Sequence, residues 1–130
     1  MPDTLEASLF KHFQYKTFRD GQKESIESIL AGQDTLTVMP TGSGKSLVYQ
    51  LAALLIPGTT LVVSPLVALM KDQAESMARR KIPCTFINSS LSHDENTERM
   101  EMMRHGRFRV VLVAPERFRN PQFMEAGTLR

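Results

Sequence analysis

The chain has 130 residues, 42% of them hydrophobic and 23% charged, which is the size and composition of one ordinary globular domain. Its longest apolar run, Leu51 to Ile56, falls far short of the roughly 20 residues a membrane span requires, and the acidic opening MPDTLEASLF is unlike an export signal. Cys84 is the only cysteine, which excludes an internal disulfide and argues against a structural zinc site, while the net charge of +2 conceals a basic end, with seven arginines against three acids from Arg99 to Arg130, that suits a polyanionic partner and a solvated surface equally.

The elements follow in chain order. Leu5, Leu9 and Phe13, and then Ile26, Ile29 and Leu30, recur at helical spacing and predict two helices. After Gly32 come four short, apolar, β-branched stretches that read as buried strands: Thr35–Met39, Thr60–Ser64, Cys84–Asn88 and Arg109–Ala114. Helices are expected between them at Lys45–Leu55, Leu66–Arg80 and His93–His105. The second has Leu66, Met70, Gln73 and Met77 on one face, and the third opens on a Ser92/Glu95 capping box. Alternating strands and helices predict an α/β fold, a parallel sheet with flanking helices built from right-handed crossovers. In such a sheet every strand ends on the same rim, and ligands bind there. The expected organisation is a helical segment over 1–33 and a nucleotide-binding α/β part over 34–130.

The stretch MPTGSGKSLVYQ, residues 39–50, carries the first chemistry. Gly42 and Gly44 can take positive φ, so that backbone N–H groups, including those of Thr41 and Ser43, converge on an anion. The helix that follows adds its unpaired N–H groups and the positive end of its dipole. Lys45 would reach the β- and γ-phosphates and act in catalysis, and the Ser46 hydroxyl would ligate Mg2+. Met39 stands where the strict phosphate-loop pattern has its first glycine. A nucleotide triphosphate is the expected ligand.

No N-K-x-D run is present to select guanine. Upstream, Tyr15, Arg19 and Gln22 are spaced i, i+4 and i+7, which would aim them the same way on a helix. A glutamine amide can pair with the N7 and N6 edge of adenine and an aromatic ring can stack on the base, although a glutamine in such a place is commonly just solvated.

Four stretches, FQYKTFRDGQ, MPTGSGKSLVYQ, LVVSPLVALMKDQ and VLVAPERF, resemble in order and spacing the N-terminal motifs of the RecQ family of superfamily 2 DNA helicases, over residues from about 5 to 120. The resemblance implies a RecA-like phosphate-loop NTPase fold. It also implies ATP and Mg2+ as cofactors, stacking of Tyr15 on adenine, and binding of the adenine edge by Arg19 and Gln22. It accounts for Met39, because these helicases commonly lack the first glycine.

Three segments leave the predicted strands on the rim: SPLVALMKDQ, NSSLS and APERF. Taken alone, each serves a helix cap as readily as a ligand. Ser64 reads as a cap and Pro65 as the first helical residue. The resemblance implies that Ser64, Pro65, Leu66, Lys71 and Gln73 touch single-stranded DNA, and Ser89, Ser90 and Arg117 are nominated with them. Cys84, Met100, Met102 and Met103 read as packing or surface, and no histidine is nominated.

ATP hydrolysis also needs carboxylates to hold Mg2+ and orient water, and the D-E-x-H run that carries them in this family is missing. The 130 residues therefore resemble an incomplete first motor domain, expected to hydrolyse ATP negligibly by itself, with the rest of the motor, single-stranded DNA or a duplex junction as partners. No membrane partner is expected, and the expected compartment is the cytoplasm, on the nucleoid, or a nucleus. The alternatives are a DEAD-box-type RNA helicase piece and a non-catalytic ATP-binding module.

Overall fold

The computed structural model describes residues 4–39, 44–119 and 121. The chain forms two compact units, 1–57 and 58–130.

In the first unit, helix α1 (Leu5–Phe13) starts where the Thr4 hydroxyl accepts the Ala7 N–H at 3.0 Å, and it stops where Gln14 turns left-handed at φ 63°. Helix α2 (Gln22–Leu30) follows Gly21, whose φ of 85° favours glycine. Helix α3 (Lys45–Leu55) buries Leu47, Val48, Leu51, Ala52 and Ala53, and both α1 and α2 pack on it. Leu9, Phe13, Ile26 and Leu51 are all essentially inaccessible to solvent. Each such side chain contributes about 1.5–3 kcal/mol of burial.

The predicted strand Thr35–Met39 is not one. The stretch has no regular secondary structure and is not part of the sheet, with Leu36 and Val38 91% and 87% exposed. Its threonines bond instead to α2: Thr37 shares a hydrogen bond with Ser25 at 2.8 Å, and Thr35 with Ser28 at 2.7 Å. β-branched composition prepares a segment for a ladder, but the ladder itself requires a neighbouring strand.

In the second unit, strands β1 (Thr60–Val63), β2 (Cys84–Ile87) and β3 (Val110–Val113) alternate with helices α4 (Val67–Arg79) and α5 (His93–Arg104). A 3₁₀ helix over Pro115–Arg119 ends it. The sheet is parallel, in the order β1-β3-β2. β3 is central and buried throughout, as a run of four β-branched or leucine residues with a strand on each side should be. Ile87, Val111 and Val113 pack with Met100 and Met103 of α5, and Leu61 and Phe108 close that cluster. α4 contributes Met70, Ala74 and Met77 to the interior; Leu66, expected on the same face, is 58% exposed. The capping box of α5 forms as expected, with Ser92 and Glu95 each accepting the other's N–H.

Val63, Val113 and Ile87 are in register, so the chain leaves all three strands at one rim. There the Ser64 N–H donates to the Val113 carbonyl at 3.0 Å, and the Ala114 N–H to the Ile87 carbonyl at 3.4 Å. The outer edge of β2 is guarded by Arg99, which donates to the Phe86 carbonyl at 3.0 Å and lies 4.6 Å over the Phe86 ring. A charged side chain so placed blunts an edge that would otherwise recruit another strand.

Candidate nucleotide and nucleic-acid sites

The nucleotide candidates sit in the first unit. Tyr15 and Arg19 lie on the loop between α1 and α2, and Gln22 is the first residue of α2. The helical spacing expected of the three is therefore not what joins them. The turn that ends at Gly21 places Gln22, which is 4% exposed, where its amide makes two bonds. Oε1 accepts the Arg19 N–H at 2.8 Å, and Nε2 donates to the Gly44 carbonyl at 3.0 Å. One side chain thus ties the loop bearing Arg19 to the residue that opens α3. Tyr15 is half exposed on the same loop.

Gly44 is required there for two reasons. Its φ of 88° is left-handed, and a Cβ added to it would fall 2.4 Å from Gln22 Nε2. Among the described residues no side chain caps α3, whose first residues, Lys45 and Ser46, are both exposed. That leaves first-turn N–H groups for an anion. Thr41, Gly42 and Ser43 lie outside the described residues. Sequence reading missed the Ser25–Thr37 and Ser28–Thr35 hydroxyl pairs, which hold the approach to the loop. Serines on the inner face of α2 were the only available signal.

The nucleic-acid candidates sit in the second unit. Ser64 is not the helix cap that was expected: Leu66 occupies that position, and α4 starts at Val67. The Ser64 hydroxyl still accepts the Leu66 N–H at 3.1 Å. Pro65 precedes the helix rather than starting it, because its carbonyl accepts the Val67 N–H at 3.0 Å in a tight turn. Pro65 and Leu66 are exposed at the rim. Lys71 and Gln73 are both in α4, but residues two apart on a helix face different ways. Lys71 lines a groove of about 660 Å³ with Cys84, Phe86 and Arg99. Burial pushes the Cys84 thiol up to about 12, so it behaves as the small hydrophobe expected rather than as a nucleophile.

Ser89 and Ser90 are exposed on the rim, in the turn after β2. Arg117 is half-buried in the 3₁₀ helix, and its Nε is enclosed without a hydrogen-bond partner among the described residues. The residues that organise this rim are Asn88 and Asn96, 0% and 3% exposed. Asn96 was missed. It shares the i, i+4, i+7 stripe of Met100 and Met103, and a polar residue on such a stripe was the signal for it. Among the described residues there is no group of three metal-ligating side chains, and no helix is long and apolar enough to cross a membrane.

The fold has a close match in the crystal structure of a hypothetical ATP-dependent RNA helicase from Sulfolobus tokodaii. The TM-score is 0.72 at 19% identity, covering 97% of this chain and 38% of that one. Sequence likeness runs elsewhere. The chain is 40% identical over 120 residues to the ATP-dependent DNA helicase RecQ of Bacillus subtilis, covering 92% of this chain. It is 45% identical over 112 residues to ATP-dependent DNA helicase Q-like 5 of Arabidopsis thaliana, covering 86% of this chain. It spans 20% and 12% of the lengths of those two relatives. The model of the DEAD/DEAH box helicases matches residues 19–129, from the arginine beside Gln22 through the phosphate loop and all three rim segments, and the chain belongs to that family.

Proposed function

We propose that these residues are the ATP-binding and single-stranded-DNA-contacting part of a RecQ-like helicase that unwinds duplex DNA in the 3′-to-5′ direction at the expense of ATP. The observation that carries the reading is the Gln22 bridge between Arg19 and Gly44. It joins a base-reading loop to a phosphate-binding helix start within one compact unit. The Arg19 bond uses one lone pair of Oε1 and the Gly44 bond one proton of Nε2, which leaves the other of each for the N6 and N7 edge of adenine. Tyr15 supplies a ring to stack on the base and Arg19 a cation beside it.

The triphosphate would lie against the first-turn N–H groups of α3, with Lys45 neutralising charge that develops as the terminal phosphoryl leaves. The exposed Ser46 hydroxyl would hold Mg2+, which would supply positive charge to offset that of the phosphates. DNA would be held at the rim by Ser64, Pro65 and Leu66 on one side and by Ser89, Ser90 and Arg117 on another. Backbone N–H groups and hydroxyls there suit phosphate oxygens. Lys71 and Gln73, which face different ways on α4, can serve that strand only singly. Such an enzyme would work in DNA repair and recombination, on the nucleoid or in a nucleus.

The test uses the full-length protein and a DNA duplex with a 3′ single-stranded tail. Wild type should hydrolyse ATP in response to single-stranded DNA and separate the strands. Lys45→Ala should lose both activities by about 100-fold or more. Unwinding of RNA duplexes alone, or unchanged hydrolysis in Lys45→Ala, would overturn the reading.

A further inference from the structure

Asn88 leaves β2 at the rim and is wholly buried, yet both polar atoms of its side chain are occupied, Oδ1 within its own turn and Nδ2 by helix α4. Oδ1 accepts from the Ser90 N–H at 2.8 Å and from the Ser90 hydroxyl at 2.5 Å. Nδ2 donates to the Met70 sulfur at 3.3 Å. The Asn88 carbonyl accepts the Asn96 amide at 2.9 Å, which fastens the same turn to α5. Met70 is itself fully buried, and it lies one helical turn beyond Leu66 and next to Lys71.

A buried amide must find partners somewhere, so satisfaction alone says little. The identity of the partners says more. One of them, Ser90, sits in the 88–92 turn, and the other, Met70, sits in the helix that follows Ser64–Leu66. These are two of the segments nominated to hold DNA. We infer that Asn88 is a positioning residue that sets the spacing between these two DNA-contacting segments; the inference rests on the helicase reading above. Asn88 reaches no ligand itself. It acts by fixing where the exposed Ser89 and Ser90 stand relative to the start of α4.

Removing the side chain should leave the fold in place. Ser90 is exposed, so water can replace the lost acceptor, and the sheet bonds of β2 are made by its backbone. What is lost is the order of the turn. The effect should therefore fall on DNA and spare ATP, whereas a general loosening of the structure would weaken both.

The experiment measures, in the full-length protein, binding of a fluorescent oligothymidylate and of a fluorescent ATP analogue. Asn88→Ala should bind the oligothymidylate about tenfold more weakly with ATP-analogue affinity unchanged. Met70→Leu keeps the core volume and breaks only the amide–sulfur link, and it should weaken DNA binding about threefold. If Asn88→Ala does not fold, Met70→Leu decides alone. Unchanged DNA affinity in the folded variants, or an equal loss of both ligands, overturns the inference. Failure of wild type to bind the oligothymidylate would instead overturn the helicase reading, and the inference would fall with it.

Discussion

Two apolar stretches of this chain read alike in sequence and ended differently. Val110–Val113 became the central strand of a parallel sheet, flanked by β1 and β2 and fully buried. Residues 35–39, also rich in β-branched side chains, belong to no strand and have Leu36 and Val38 in solvent. The first stretch has its N–H and C=O groups taken up on both sides. The second is held to α2 by two hydroxyl pairs. Strand propensity is a readiness to fit a pleated, half-buried surface, and pairing partners decide whether that readiness is used. The two units accordingly hold their functional segments by different means. In the second, backbone ladders bring three rim segments level. In the first, one glutamine side chain joins two loops.

The widest contrast should appear when one charge is placed in each stretch. Leu112→Asp would bury an unpaired carboxylate at a fully buried position and should cost about 4 kcal/mol or more, enough to abolish folding. Val38→Asp should stay within about 0.5 kcal/mol, because the side chain already faces water. Urea midpoints of the two variants measure this. A cost at Val38 approaching that at Leu112 would mean that 35–39 is paired in solution, and the contrast would collapse.

The single-side-chain link of the first unit is tested next by Gln22→Ala. Losing both bonds frees the Arg19 loop from Gly44 and removes the proposed adenine reader, so ATP should bind about tenfold more weakly and the preference for ATP over GTP that the proposal implies should be lost. Titration with both nucleotides separates the two effects. Weaker binding with selectivity intact would leave Gln22 as a strut alone.

The smallest effect concerns the start of α5. The Ser92 N–H and hydroxyl hold the Glu95 carboxyl below the usual glutamate value. A carboxylate with a depressed folded value adds stability above its unfolded value and loses it as pH falls through the folded one. Amide exchange in the first turn of α5 should therefore quicken as pH drops below about 4.3, after correction for the intrinsic rate. Glu95→Gln, which keeps an acceptor without a charge, should flatten that dependence. A profile unchanged by the substitution would remove the capping carboxylate from the account.

Much of this was legible beforehand. The three helices given bounds were foreseen to within a residue and the two before them were expected without bounds, because apolar periodicity and the Ser92/Glu95 pair are local signals; the 3₁₀ helix Pro115–Arg119 was not foreseen. Three of four strands were foreseen for the same reason, and their shared rim followed from the alternation of strands with helices. The fourth failed because its partner is not a local property. The Tyr15, Arg19 and Gln22 spacing would have aligned the three only on a helix, and Gln14 and Gly21 break the chain on either side of that loop. The nominated Lys71 and Gln73 diverge around α4, which their spacing already implied. Asn96 was passed over because a lone asparagine in a polar helix looks solvated until its neighbours on the stripe are counted.

By itself, then, the sequence determined the alternation of strands and helices that makes the sheet and the family, and it nominated a phosphate loop, since each is written in contiguous motifs of a few residues. Tertiary structure alone decided the strand order β1-β3-β2, the fate of 35–39 and the long-range partners of Gln22 and Asn88. Those depend on hydrogen bonds between residues distant in the chain. The pattern on either side of such a bond states that a partner is needed, and only the folded chain supplies which one.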